Sequence, residues 1–368
     1  MHRVIDRAGG WKRVIQAALS VAVVAAIFLY ALPKVADFGD VWEQITAMTL
    51  FQMVTLLAVA GWNIASYWLV MIASLPGSNV WQSFKVNGAS TAIANTLPGG
   101  SALGIGVTYG MYLSYGFERA DVGRAVLVSG LWNNFVKLGM PVVALALLAL
   151  HGGASTATLT ASLAGLGMLA AALFAFGLVL YRESVAHRVG TWLGKLRDRV
   201  RSLLRKPPGG DMGEATARFR SDAIDLLRRR WAWLSIATLV SHVSLFLVLL
   251  LSLRYVGVSA DQVAWQEILA AFAFVRLISA LPITPGGLGV VELGYAAALV
   301  AGGGDRATVL AGVLVFRALT YLLPIPWGVL TYLRWRQGAE RRRQRVAAAN
   351  HADPAIEPNA PVATEPAK

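Results

Sequence analysis

Two scarcities limit what this sequence can encode: it has no cysteine, and charged residues occupy only 14% of its 368 positions. The absence of cysteine excludes disulfides, thiolate metal sites and thiol catalysis. A soluble domain carries about a quarter charged residues, whereas 56% of this chain is hydrophobic. The five histidines show no metal-ligand spacing, so we expect no metal and no other cofactor. This composition predicts a polytopic membrane protein.

The net charge of +13 is concentrated before the first apolar run, in residues 182–230 and in residues 334–345. Lysine and arginine beside membrane spans mark the cytoplasmic side. The basic character is therefore explained without a nucleic-acid partner. We expect a multi-pass protein of the plasma membrane with both termini in the cytoplasm.

The apolar runs predict an all-α fold with about six full spans and two broken-helix, re-entrant hairpins. The hairpins are residues 80–117 and 263–301. The predicted full spans are residues 14–32, 50–75, 122–150, 159–181, 231–255 and 306–333.

These elements divide the chain into five parts. Two membrane halves are separated by a basic linker that we expect at the cytoplasmic headgroups, and the ends are polar. The parts are a basic N-terminus (1–13), the first membrane half (14–181), the linker (182–230), the second membrane half (231–335) and a basic, then disordered, tail (336–368).

Each predicted hairpin is broken by a Pro-Gly-Gly tripeptide. Proline removes a backbone donor and glycine weakens a helix. In hydrocarbon, such backbone is tolerated only where protein or a water-filled cavity satisfies it. The tripeptides are Pro98, Gly99 and Gly100 in the first half and Pro285, Gly286 and Gly287 in the second.

The cytoplasmic position of the basic segments determines the predicted orientation of the two hairpins in the membrane. Counted from the cytoplasmic segments, residues 80–117 begin and end inside, and residues 263–301 begin and end outside. Inverted halves with broken helices indicate a transporter-like site near the middle of the membrane. The alternative is that two similar tripeptides coincide in a glycine-rich chain.

Each half also places a cation before and after its break. Lys85 and Lys137 flank the first break, and Arg276 and Arg317 flank the second. Charges inside a membrane are expensive, so a group of them favours a functional role. Arginine suits bidentate phosphate capture and lysine supplies a point charge.

Other polar residues accompany these cations. Asn133 lies one helical turn from Lys137 and shares its face, so it is a further candidate for ligand contact. Glu292 follows the second break, and a carboxylate there suggests a site that it gates. The alternative is an internal salt bridge of Glu292 with Arg276 or with Arg317.

The segment 285–292, with the weaker element 97–100, resembles the flippase-like membrane domain of bacterial lysylphosphatidylglycerol synthases. The resemblance covers roughly residues 14–335. It implies inverted repeats with re-entrant helices, movement of a lipid between leaflets, and a site that includes Glu292 and the Pro-Gly-Gly backbone. The family's first element often carries an arginine and a glutamate, and residues 101–107 have neither. The synthase members carry a large soluble aminoacyl-transferase domain after the membrane part. In this sequence only about 30 polar residues follow the membrane part, so we expect no lipid aminoacylation.

The sequence therefore predicts a protein that binds or translocates an anionic lipid, and we do not expect an enzyme. A polyprenyl-phosphate carrier would use the same cations. A membrane-embedded transferase would need paired carboxylates or a nucleotide-binding motif, which we do not find. An accessory subunit of an envelope enzyme, or a homo-oligomer, is also compatible with the sequence.

The predicted sidedness can be tested with reporter fusions. Fusions at Pro208 and Lys368 should report a cytoplasmic position, and fusions at Asp40, Gly153 and Gly303 an external one. A cytoplasmic Gly303 would show that the two halves are not inverted.

Overall fold

A computed structural model describes residues 38–97, 99–150, 156–203, 207, 210–279 and 284–352. Within these ranges the regular structure is helical throughout, without strands. The helices are α1 (Phe38–Thr46), α2 (Leu50–Ser74), α3 (Val80–Thr96), α4 (Gly100–Ser114), α5 (Arg119–Leu148), α6 (Thr156–Tyr181), α7 (Glu183–Leu203), α8 (Met212–Tyr255), α9 (Trp265–Ile278), α10 (Val290–Ala301), α11 (Arg306–Arg317) and α12 (Pro324–Ala352).

Four helical stretches in the described part are long and apolar enough to cross a membrane: Leu50–Ser74, Arg119–Leu148, Met212–Tyr255 and Arg306–Gly338. A fifth is possible if α6 and α7 form one span, but they are bent by 106°. The all-helical membrane fold is thus confirmed. The count of about six full spans stays a prediction, because residues 14–32 lie outside the described residues.

The first predicted hairpin is an antiparallel pair of short helices, α3 and α4. The Ser83 and Tyr112 hydroxyls hydrogen-bond at 3.1 Å. Nearer the break, a Cβ on Gly104 would lie 2.8 Å from the Ser90 carbonyl oxygen. The 17 residues of α3 extend about 25 Å, which is less than the roughly 30 Å hydrocarbon core. This pair therefore fits a hairpin that enters the membrane and returns.

The second predicted hairpin has the same form. Helices α9 and α10 have 14 and 12 residues, and a Cβ on Gly294 of α10 would lie 3.1 Å from Val275 of α9. Between them, Pro285–Gly287 forms a short 3₁₀ turn. Gly286 has φ +58° in this turn, a left-handed conformation that glycine adopts without steric cost. Residues 280–283, before the turn, lie outside the described residues.

The halves pack reciprocally. Helix α3 of the first hairpin lies along α12 of the second half, and α9 of the second hairpin lies along α5 of the first. The turn Pro285–Gly287 contacts both α3 and α4, so the two breaks are neighbours. Helix α2 packs on α8 beside them. This arrangement accords with an inverted repeat, although the repeat itself stays a prediction.

The basic linker is largely helical. Helix α7 packs on α8, and Trp192 on α7 keeps 62% of its surface exposed. An amphipathic basic helix of this kind suits the membrane interface. Arg220 of α8 donates hydrogen bonds to the Leu180 and Tyr181 carbonyl oxygens, at 2.8 and 3.1 Å. It therefore caps the C-terminus of α6.

Two predicted boundaries differ from the observed helices. Helix α8 begins at Met212 rather than near residue 231, because Asp211 caps it by accepting from the Gly213 and Glu214 amides. Helix α12 continues to Ala352, so residues 346–352 are helical where we expected the disordered tail. Alanine is abundant there and is the strongest helix former. Residues 353–368 lie outside the description.

The contact between α3 and α12 yields a stability prediction. The Gly88 carbonyl oxygen lies where a Cβ on Gly328 would sit, with the Ala92 Cβ at 2.6 Å. Gly328→Val should therefore force the helices apart and cost about 1–3 kcal/mol of unfolding free energy. Gly338→Val, on the same helix with no neighbour within 4 Å, is the control. Thermal unfolding in detergent measures both, and equal losses would contradict the close approach.

Candidate functional site

A buried ion pair anchors the second break. Arg317 Nε donates to Glu292 Oε1 at 2.7 Å, and the Glu292 side chain is only 1% exposed. The other carboxylate oxygen accepts the Gly289 N–H at 2.7 Å and so caps the start of α10. Of the two arginines that the sequence left open as partners of Glu292, the structure shows Arg317.

Arg317 extends this network in two directions. Its Nη2 donates to the Gly286 carbonyl oxygen at 3.1 Å, and its guanidinium lies 4.5 Å from the centre of the Tyr321 ring. The Tyr321 hydroxyl donates to the Asn95 carbonyl oxygen, and the Asn95 amide donates to the Tyr321 carbonyl oxygen at 3.2 Å. Because Asn95 is in the last turn of α3, the network links the two hairpin breaks.

A cavity of about 640 Å³ opens beside this network. Its volume lies in the range of small-molecule sites. Both halves contribute to its wall, through α2, α3 and α5 of the first half and α8 to α12 of the second. Three of the predicted cations line it: Lys137, Arg276 and Arg317.

Two of these cations have no counter-ion. In the part of the chain that the structure describes, neither Lys137 nor Arg276 forms an ion pair, and Arg276 Nε is buried without a hydrogen-bond partner. The two charges lie close enough to repel each other. Unpaired charge in a low-dielectric site is costly, and a bound anion would remove that cost.

The rest of the wall is aromatic and neutral polar. Trp68, Phe84 and Trp327 supply rings. Asn87, Thr91 and Asn95 follow at intervals of four residues along α3, so they share one helical face, and all three line the cavity.

With this geometry established, the chain was compared with known proteins. The sequence model of the lysylphosphatidylglycerol synthase TM region matches residues 17–328. The chain belongs to this family. A comparison with curated proteins found no match.

The family assignment confirms the resemblance drawn from the second Pro-Gly-Gly element. The matched region contains both hairpins and every residue that lines the cavity. Membership establishes a membrane domain of this family.

The predicted site residues divide into two groups. Lys137, Arg276, Gly286 and Arg317 line the cavity, and Glu292 joins it through Arg317. Those that do not line it in the described structure are Lys85, Gly99, Gly100, Asn133 and Gly287.

The excluded residues have other contacts. Lys85 Nζ lies 4.9 Å from the Trp81 ring centre, on another face of α3. Gly100 is buried against the Ala94 carbonyl oxygen. Pro98 lies outside the described residues, and Pro285 begins the turn at the second break. Any role of these residues in binding stays a prediction.

Sequence reasoning missed several cavity residues. Asn63 of α2 is 3% exposed and donates to the Ser241 carbonyl oxygen at 3.0 Å and Ser244 Oγ at 2.9 Å. A lone amide in an apolar span was the available signal. No sequence signal identified Tyr321 as a cavity residue, because its position depends on the π-helical turn Ala318–Leu322 after α11.

The ion pair yields a prediction about stability. Glu292→Gln would leave Arg317 buried without its anion, and breaking such a pair costs about 3–5 kcal/mol of unfolding free energy. The double variant Glu292→Gln/Arg317→Gln should recover part of that loss. Thermal unfolding of the purified variants measures both effects.

Glu267→Gln is the matched control. Glu267 caps α9 as Glu292 caps α10, by accepting a backbone N–H three residues back at 2.7 Å. Its replacement should have a small effect. A Glu292→Gln protein as stable as the Glu267→Gln protein would contradict the role given to the ion pair.

Proposed function

We propose that the protein binds the anionic headgroup of a lipid in this cavity and moves the lipid between leaflets. The observation that carries the proposal is a pair of half-buried cations, Lys137 and Arg276, that have no ion-pair partner among the described residues and line a cavity between two broken hairpins. A phosphate there would accept charge-assisted hydrogen bonds from both.

The position of the cavity supports movement as well as binding. Its wall comes from both halves, and these halves meet through packed helices. In transporters built from inverted repeats, rocking of one half against the other changes which side of the membrane reaches the site. The network from Glu292 to Asn95 would keep the two breaks together during that movement.

A polyprenyl phosphate would meet the same two cations, because the recognised group is again a phosphate. The chemistry of the cavity is shared by the two lipid classes. A transfer assay that includes a polyprenyl phosphate beside a glycerophospholipid distinguishes them by rate.

The cations yield a prediction about transfer. Arg276→Gln and Lys137→Gln should each lower transfer of acyl-labelled phosphatidylglycerol in proteoliposomes by about tenfold, the effect of one lost charge-assisted hydrogen bond. Thermal stability should be unchanged or higher, because each change removes one of two like charges that lack a counter-ion on the same cavity wall.

Arg306→Gln is the control, since Arg306 is an exposed residue at the start of α11. It should transfer lipid at the wild-type rate. Two results would reject the proposal: wild-type transfer by both cavity variants, or a loss of transfer that only follows a loss of folded protein.

A further inference from the structure

The cavity offers more neutral hydrogen-bonding groups than a phosphate needs. Tyr67 of α2 and Asn87 and Thr91 of α3 line it. Among the described residues, the side-chain polar atoms of these three have no hydrogen-bond partner. Trp68 Nε1 is buried and equally unpartnered. Donors and acceptors that line a cavity without a protein partner favour a ligand that supplies matching acceptors and donors.

The cavity also has an aromatic wall of three adjacent rings. The Phe84 ring centre lies 4.9 Å from that of Trp68 and 4.1 Å from that of Trp327. The faces of these rings are electron-rich. They attract flat, weakly electropositive C–H surfaces as well as cations.

The cavity wall therefore combines two chemically different sets of groups. Lys137 and Arg276, on α5 and α9, supply unpaired positive charge. The helices α2, α3 and α12 contribute the aromatic rings and the neutral hydrogen-bonding groups. A headgroup that matches both sets needs an anion and, linked to it, a group that is apolar on its faces and rich in hydroxyls at its edge.

We infer that the headgroup taken by this cavity is a phosphate bearing a cyclic polyol, that is, a sugar or inositol ring. This inference rests on the proposed function and specifies its substrate class. The phosphate lies at Lys137 and Arg276, and the ring stacks on the aromatic wall. The ring hydroxyls, which both donate and accept, pair with Asn87 and Thr91.

Other headgroups fit less well. A bare phosphate, or an acyl chain against the aromatic wall, leaves the amide of Asn87 and the hydroxyl of Thr91 without a ligand partner. A quaternary ammonium group suits aromatic faces, but two unpaired cations on the same cavity repel it. A site built to bond hydroxyls discriminates against analogues that lack them.

The first test is binding, which does not depend on transport. The full-length protein in detergent is titrated with inositol 1-phosphate, inorganic phosphate or free inositol, and thermal stabilisation is measured. Inositol phosphate should bind at least about tenfold more tightly than inorganic phosphate, since two or more neutral hydrogen bonds are gained. Equal affinity for the two probes would overturn the inference.

The variants Thr91→Val and Asn87→Leu approximate the original side-chain shapes and remove the polar atoms. Each should lower the affinity for inositol phosphate about threefold to tenfold and leave that for inorganic phosphate unchanged. Thr91→Ser retains the hydroxyl and should restore the preference. Thr96→Val, on the same helix but not lining the cavity, is the control. An equal loss for both probes would indicate a structural role and overturn the inference.

Transport separates this inference from the proposed function. Proteoliposomes with acyl-labelled phosphatidylinositol, phosphatidate or phosphatidylcholine should transfer phosphatidylinositol fastest. Equal transfer of the two anionic lipids would overturn the polyol preference and leave anionic transfer intact. No transfer of either, with the binding preference preserved, would reject translocation and leave headgroup recognition standing.

Discussion

The ion pair between Glu292 and Arg317 holds together a region where regular backbone structure is interrupted. At the second break, one guanidinium contacts a carboxylate, the Gly286 carbonyl oxygen and the face of Tyr321. The carboxylate in turn caps α10. In hydrocarbon, backbone freed by a break must find partners within the protein. The ion pair supplies them and links the turn to α3 through Asn95.

The cations of the cavity thus have different roles. Arg317 is bonded to the protein's own carboxylate, and it maintains the wall. Lys137 and Arg276 have no such partner among the described residues. Because the free energy cost of unpaired charge in a low-dielectric cavity falls when an anion binds, a bound anion would stabilise these two residues more than Arg317.

The reciprocal packing of the two membrane halves places the cavity between them, so that both halves contribute to its wall. Helix α3 lies on α12 and α9 on α5, so each hairpin is held by the other half. The wall of the cavity between them carries both unpaired cations and a set of aromatic and neutral hydrogen-bonding groups. This combination supports a headgroup with two chemically distinct parts.

Much of this could be predicted from the sequence. Composition indicated a helical membrane protein, and Pro-Gly-Gly tripeptides indicated the breaks, because these residues disfavour helix in any context. The segment 285–292 identified the family. The high cost of charge in a membrane identified Lys137, Arg276 and Arg317 as candidates.

Only the tertiary structure decided how these candidates are used. It separated Lys85 from the cavity, paired Glu292 with Arg317, and brought Tyr321 to Asn95. Helical periodicity determines which residues share a face of one helix. It does not determine which other helix that face meets, because this depends on packing between segments far apart in the chain.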